Sequence, residues 1–255
     1  MKSGRPVSLR VDGLRIAAAA YLPDGHGPFP ALCLCHGIPP GPRDPNDQGY
    51  PLLAERCCQA GFATTIFNFR GAGESEGNLD MPGWARDLKA VLDYLLSLPE
   101  IDRARVNLLG FSAGAAVSVY VTAGDQRVTA VASCACPAEF RFLPDLDKAQ
   151  EFVEHLRGIN LIRDPHFPAS IEEWVRGFRD MAPRDWVGRV SPRPLLLVHG
   201  DQDELIPLKQ ARELYERAKQ PKELVIIPGA GHRLRRERRA MDIALAWLKR
   251  VNRLE

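Results

Sequence analysis

Short apolar segments alternate with longer amphipathic ones along most of the chain. Residues 31–35, 106–109 and 195–198 are compact apolar runs, which are typical of buried strands. From Trp84 to Leu95, apolar residues recur every three or four positions, which predicts one face of a helix. Strands that alternate with helices indicate an α/β fold with a mostly parallel, doubly wound sheet that is covered on both faces.

The region between about residues 138 and 187 interrupts this alternation. It has two amphipathic patches, at 147–156 and 170–181, and no clear strand pattern. We interpret it as a helical lid that is inserted over the carboxyl edge of the sheet, where open α/β sheets bind ligands. The whole chain, residues 1–255, is then one domain that contains this lid.

The predicted lid is rich in large apolar side chains. We expect most of them to pack the lid onto the sheet and a few to line a pocket. They are Phe140, Phe142, Leu143, Phe152, Phe167, Trp174, Phe178 and Trp186.

The most specific chemical signal is the run Gly110-Phe111-Ser112-Ala113-Gly114. It follows a predicted strand and precedes small residues that suit a tightly packed helix. A serine on such a tight turn has a strained backbone and an exposed Oγ, and bulky residues two positions away would clash. Ser112 is therefore the candidate nucleophile, and the alternative is a plain glycine-rich turn.

A serine hydroxyl needs a base to accept its proton, and the base needs a carboxylate to orient it. His232 and Asp203 each follow a predicted strand, so they lie at the same edge of the sheet as Ser112. Asp201 is a second candidate for the acid. Either aspartate could instead only form a turn, and His232 could instead cap a helix.

The order Ser…Asp…His and several further motifs resemble the α/β-hydrolase family over nearly the whole chain. His36-Gly37 resembles the H-G that opens the oxyanion loop of that family. Residues 199–203 (H-G-D-Q-D) resemble its H-G-x-x-D, whose last position is the acid, and Gly231-His232 resembles the G-H of the base. The sequence is most similar to small bacterial serine esterases near the feruloyl-esterase and serine-aminopeptidase-like branch.

Residues 68–77 (N-F-R-G-A-G-E-S-E-G) resemble the D-x-R-G-x-G-x-S turn of the family, with Asn68 where aspartate is common. We expect Arg70 to brace this loop rather than touch a substrate, and His36 and His199 to be structural. The basic run 233–239 is interpreted as an exposed helix start. Binding of nucleic acid or of anionic substrates is the less favoured alternative for that run.

The candidate oxyanion hole consists of two backbone N–H groups. The turn geometry assigns one to Ala113, the residue after the nucleophile. The resemblance implies that the second comes from Ile38. Pro39 and Pro40 have no N–H, so they can only stiffen this loop.

Composition narrows the classes of partner. With 34 basic and 32 acidic residues, the net charge of +2 does not support binding to nucleic acid or to a membrane surface. No apolar stretch reaches the roughly 18–20 residues that span a bilayer, and we find no signal peptide pattern. The six cysteines lack zinc-site spacing, and four lie in apolar runs as expected core residues, which suits a reducing cytoplasm.

The predicted function is a serine hydrolase that cleaves carboxylic esters of small molecules through a Ser-His-Asp triad and an acyl-enzyme. We expect no cofactor and no metal, and the oligomeric state stays open, with a homodimer among the options. A peptidase, thioesterase, lactonase or carbon–carbon hydrolase could use the same residues. A different class is a non-catalytic small-molecule-binding protein on the same fold.

Overall fold

The computed structural model describes residues 4–39, 41, 49–140 and 146–254. Pro40, Phe142 and Leu143 of the sequence analysis lie outside these residues. The strands are β1 (Arg5–Val11), β2 (Leu14–Tyr21), β3 (Phe29–Cys35), β4 (Ala63–Phe67), β5 (Ile101–Phe111), β6 (Ala130–Cys134), β7 (Leu195–Gly200) and β8 (Lys222–Ile227).

These strands form one sheet in the order β1-β2-β4-β3-β5-β6-β7-β8. The strands from β3 to β8 pair in parallel with one another, and β2 is antiparallel to both β1 and β4. The mostly parallel α/β sheet that the sequence predicts is therefore confirmed. The carboxyl ends of β5, β7 and β8 meet at one edge, because parallel strands all end on the same side.

Helices cover both faces of this sheet. They are α1 (Gly49–Gln59), α2 (Met81–Ser97), α3 (Ala113–Gly124), α4 (Leu146–Gly158), α5 (Ile171–Asp180), α6 (Pro183–Trp186), α7 (Leu208–Arg217) and α8 (Arg238–Val251). One core lies under α2, α3 and α7 and extends to α4 and α5, and the other lies under α1 and α8. Two separate cores show that the sheet is buried from both sides.

Strand β5 begins five residues earlier than the apolar pattern predicts. Its first part, around Asp102 and Arg105, is charged and partly exposed, so it carries no apolar signal. The register of β3 against β5 also shifts between Pro30 and Ala31, where this irregular part joins the regular one. Backbone pairing with β3 therefore extends β5 beyond the part of the strand whose side chains are buried.

The segment between β6 and β7 contains the two predicted helices, as α4 and α5. Among its predicted packing residues, Trp174 and Phe178 are buried in the larger core, and Phe152 packs against that core. The indole N–H of Trp174 donates to the carbonyl of Leu79 (2.9 Å), and the backbone N–H of Leu79 donates to Leu161 (2.8 Å). The described part of this segment is thus packed onto the body of the protein.

The loop of residues 68–77, which we call the glycine-rich loop, follows β4 and is anchored by a buried ion pair. The guanidinium of Arg70 and the carboxylate of Asp87 on α2 are both buried, and Nη2 lies 2.8 Å from Oδ1. The backbone N–H of Arg70 also donates to Asp87 (2.8 Å). Arg70 therefore braces its loop, as the sequence suggests.

A buried histidine provides the second anchor of this loop. Nε2 of His36 accepts a hydrogen bond from the backbone N–H of Phe69 (3.0 Å), and Nδ1 donates to the carbonyl of Gly37 (2.7 Å). The ring also contacts the stacked rings of Phe69 and Trp84. Burial lowers the pKa of His36 to about 4, so the imidazole is neutral at pH 7.

The Arg70–Asp87 pair gives a stability prediction. We expect Arg70→Met to lower the free energy of unfolding by about 3–5 kcal/mol, because it leaves a carboxylate buried without its partner. Arg86→Met is the matched control, since Arg86 forms a half-exposed pair with Asp12 and should lose under about 1 kcal/mol. Urea unfolding measures the free energy of unfolding of both variants. Equal losses would contradict the anchoring role assigned to the buried Arg70–Asp87 pair.

The neutral His36 predicts how stability depends on pH. An unfolded histidine has a pKa of about 6.5, so below that pH only the unfolded chain takes up the proton. We expect the low pKa of His36 to contribute up to about 3 kcal/mol to the free energy of unfolding. This contribution is complete above about pH 6.5 and is lost as the pH falls toward 4. In urea unfolding, the gap between wild type and His36→Asn should narrow over this range. A gap that stays constant with pH would refute this account.

Candidate active site

Ser112 occupies a strained turn between β5 and α3. Its backbone has φ 52° and ψ −125°, a region that residues other than glycine rarely adopt. Its N–H donates to the carbonyl of Cys134 at the end of β6 (2.9 Å). The hydroxyl makes no hydrogen bond that caps α3, so it remains available for other contacts.

The glycines on either side are required by close packing. A Cβ on Gly110 would lie 2.5 Å from the Cα of Ala115, and a Cβ on Gly114 would lie 2.2 Å from the carbonyl oxygen of His36. Both distances are shorter than real contacts of a Cβ allow. The glycine spacing around Ser112 therefore has the steric cause that the sequence analysis proposed.

The structure brings the three predicted catalytic side chains together. Nε2 of His232 lies 3.0 Å from Oγ of Ser112, and Nδ1 lies 2.9 Å from Oδ2 and 3.0 Å from Oδ1 of Asp203. A carboxylate only accepts, so Nδ1 carries the proton and Nε2 is left to accept from the serine hydroxyl. The side chain of Asp203 is fully buried, and that of His232 is largely buried.

Asp203 is held as a carboxylate by its neighbours. Burial alone would raise its pKa, but hydrogen bonds from His232 and from the backbone N–H groups of Ile206 and Leu205 outweigh this effect, and the net pKa is below the usual value. Oδ1 accepts those two N–H groups at 2.8 and 3.0 Å. The side chain is therefore an acceptor for His232 throughout the neutral range.

Asp201, the second candidate for the acid, has a different partner. Its Oδ1 accepts the backbone N–H of Gly229 (2.7 Å), whereas the carboxylate that contacts the imidazole is Asp203. The sequence analysis gave Asp203 as the acid and Asp201 as the second candidate, and the imidazole contacts Asp203.

Gly37, which precedes the predicted oxyanion residue Ile38, and Ala113 both lie beside the nucleophile. A Cβ on Gly37 would lie 2.8 Å from the Cβ of Ser112, so the backbone next to Ile38 runs directly beside the turn. Ala113 begins α3 and is buried, and the first N–H groups of a helix have no partner within it. Pro39 follows Ile38 within the described residues.

His199 is buried beside the acid, and its contacts fit the structural role expected for it. Its Nε2 donates to the carbonyl of Ile206 (2.8 Å) and lies 3.4 Å from Oδ2 of Asp203. Burial lowers its pKa, so the ring is neutral. The hydrogen bond from His199 to Ile206 thus joins β7 to the loop that carries Asp203.

Sequence reasoning missed Glu204. One oxygen of its carboxylate accepts the backbone N–H of His232 (3.0 Å). No motif reveals such a contact, because its partner is a backbone amide that every residue carries. The only available signal is that an acidic residue directly follows Asp203.

Other sequence expectations concern cysteines and metals. All six cysteines are buried, and burial raises the pKa of Cys134 to about 12, so the core role predicted for the four cysteines in apolar runs is confirmed. Within the ranges that the structure describes, no group of three His, Cys, Asp or Glu side chains is placed to hold a metal ion. None of the described helices is both long and apolar enough to cross a membrane.

Comparisons with known proteins agree with this architecture. The protein YfhR of Salmonella typhi is 30% identical over 168 residues, which cover 66% of this chain and 53% of the relative. The chain therefore spans about half the length of this relative.

Solved structures share the fold at lower identity. Est1E from Butyrivibrio proteoclasticus with bound ferulic acid superposes with a TM-score of 0.71 at 20% identity, covering 96% of this chain and 97% of that one. The esterase domain of a Rhodothermus marinus protein gives a TM-score of 0.69 at 22% identity, covering 97% and 99%. At this identity the likeness establishes the fold alone.

The family comparison is more specific. Residues 34–242, most of the chain, match the model of the alpha/beta hydrolase family, and this range contains Ser112, Asp203 and His232. The family resemblance that the motifs indicated is thereby confirmed, and the chain belongs to the alpha/beta hydrolase family.

Proposed function

We propose that this protein is a serine hydrolase that cleaves carboxylic esters of small molecules, with Ser112 as nucleophile, His232 as base and Asp203 as orienting acid. The observation that carries the proposal is the continuous hydrogen-bonded chain from the carboxylate of Asp203 through the imidazole to Oγ of Ser112. A hydroxyl so placed transfers its proton to the imidazole as it attacks a carbonyl carbon.

The first half of the reaction forms an ester on the enzyme. Oγ of Ser112 bonds to the substrate carbonyl carbon while His232 takes the proton, and the carbonyl oxygen becomes an oxyanion. His232 then protonates the leaving alcohol as the C–O bond breaks. Asp203 stabilises the imidazolium during this step and keeps the ring oriented.

The second half returns the enzyme to its starting state. Water donates a proton to His232 and attacks the acyl carbon, and the second oxyanion collapses with release of Ser112. His232 gives the proton back to Oγ, and the carboxylic acid leaves. No further reactant is needed, because water supplies both the hydroxyl and the proton.

We assign stabilisation of the oxyanion to the backbone N–H groups of Ala113 and Ile38. Ala113 opens α3, whose N-terminal end also carries partial positive charge from the helix dipole. Ile38 follows Gly37, whose backbone lies against Ser112. Two fixed donors stabilise the charge that develops only in the transition state.

We place ester cleavage first because two proteins that share the fold point to it. One structural neighbour is an esterase domain, and another binds ferulic acid, which is a carboxylic acid as the product of ester hydrolysis would be. A peptidase, thioesterase or carbon–carbon hydrolase would use the same three side chains, and a binding protein would not need them aligned.

Hydrolysis of p-nitrophenyl esters from acetate to laurate tests the proposal. We expect turnover by wild type and a loss of at least about 10³-fold in kcat for Ser112→Ala, since the nucleophile is removed. A fluorophosphonate should add one label per chain at Ser112. A folded protein that takes the label but cleaves no ester would indicate another hydrolase activity, and one that also resists the label would indicate a binding role.

The oxyanion assignment predicts a separate effect at Ile38. Ile38→Pro removes the N–H and should lower kcat by about 10²–10³-fold, whereas Ile38→Ala keeps the N–H and should stay within about tenfold of wild type. Circular dichroism of both variants controls for folding. Equal kcat values for the proline and alanine variants would exclude Ile38 as a donor.

A further inference from the structure

Two loops at the edge of the sheet contact each other at several points. We call residues 201–207, between β7 and α7, the acid loop, and residues 228–233, after β8, the base loop. The acid loop carries Asp203, and the base loop carries His232. Neither loop is part of a helix or strand, so contacts between them set where the imidazole lies.

Glu204 binds the base loop directly at His232. Its Oε2 accepts the backbone N–H of His232 (3.0 Å), while the neighbouring Asp203 binds the imidazole of the same residue. A Cβ on Gly231 would lie 2.8 Å from this oxygen, so the glycine before the histidine makes room for the carboxylate. Consecutive acidic residues thus hold the backbone and the side chain of His232.

Asp201 and Gln202 bind the other end of the base loop. Oδ1 of Asp201 accepts the N–H of Gly229 (2.7 Å), and the N–H of Gln202 donates to the carbonyl of Ala230 (3.0 Å). The loops approach so closely here that a Cβ on Gly200 would lie 2.1 Å from that same carbonyl oxygen. The base loop is therefore held at both ends.

The electrostatics of Glu204 suit this contact. Its own backbone N–H and that of His232 hold the pKa of Glu204 below its usual value, so the side chain is ionised at neutral pH. Hydrogen bonds to an ionised acceptor are about twice as strong as neutral ones. The residue is exposed and borders a surface cavity of about 320 Å³, so truncating it leaves no buried void.

We propose that Glu204 and Asp201 are positioning residues that set the distance between Nε2 of His232 and Oγ of Ser112 by holding backbone amides of the base loop. This inference rests on the proposed function. Proton transfer requires the imidazole within hydrogen-bond reach of the serine, and a displacement of about 1 Å can reduce the rate about 10²-fold. Both residues act through His232.

The primary test compares Glu204→Ala, Glu204→Gln and Glu216→Ala in p-nitrophenyl butyrate hydrolysis. The alanine variant loses the acceptor, so we expect kcat to fall about tenfold with KM within about twofold. The glutamine variant keeps an acceptor oxygen and should recover most of that loss. Glu216 is an exposed glutamate on α7 and serves as the matched control.

A second comparison separates positioning from a purely structural role. In a His232→Ala background there is no imidazole to position, so adding Glu204→Ala should change the residual rate by less than about twofold. A general structural role would lower that rate as strongly as it lowers the rate of wild type. Asp201→Ala should behave in the same way, with Asp201→Asn as its rescue.

The outcomes distinguish the inference from the function on which it rests. Wild-type activity with Glu204→Ala and Asp201→Ala both as fast as wild type would overturn the inference alone. Equal losses with and without His232 would also overturn it. A wild type that neither cleaves esters nor takes a fluorophosphonate would overturn the proposed function, and the inference with it.

Discussion

The backbone of Ser112 is the constraint on which the site depends. A serine at φ 52° and ψ −125° is disfavoured by about 1–3 kcal/mol. The turn keeps this conformation because the packing and hydrogen bonding around it hold the backbone in place. Gly110 packs against Ala115, Gly114 packs against the carbonyl of His36, and the N–H of Ser112 is bonded to β6. The strain lifts the hydroxyl out of the sheet, where the imidazole of His232, after β8, reaches it.

The surrounding loops are held by polar contacts that are buried or charge-assisted. Arg70 and Asp87 fix the glycine-rich loop, and the neutral ring of His36 ties that loop to the strand end beside Ser112. The segment after β6 is bonded to the same region, since Arg163 donates to the carbonyls of Ser75 (2.6 Å) and Gly73 (2.8 Å). These contacts limit how far the glycine-rich loop and the strand end beside Ser112 can shift.

Much of this arrangement was predictable, and the remainder has identifiable physical causes. Ser112 and His232 stand out because glycines are needed beside them and because each follows an apolar strand. The preference for Asp203 over Asp201 came from the resemblance of residues 199–203 to H-G-x-x-D, because the local sequence alone does not show which side of the turn faces the imidazole. The contact of Glu204 with His232 was not predictable, because Glu204 binds a backbone amide. The antiparallel pairing of β2 with β4 was not predictable either, because the alternation of apolar residues does not depend on the direction of pairing.

The central claim is that Ser112, His232 and Asp203 act as one unit, and a mutant cycle on kcat tests it most directly. In a unit, losing one member disables the others, so single and combined losses are strongly non-additive. Ser112→Ala, His232→Ala and the double variant should therefore have nearly the same residual kcat on one ester. If the two single losses multiply in the double variant, the residues act independently and the account is wrong.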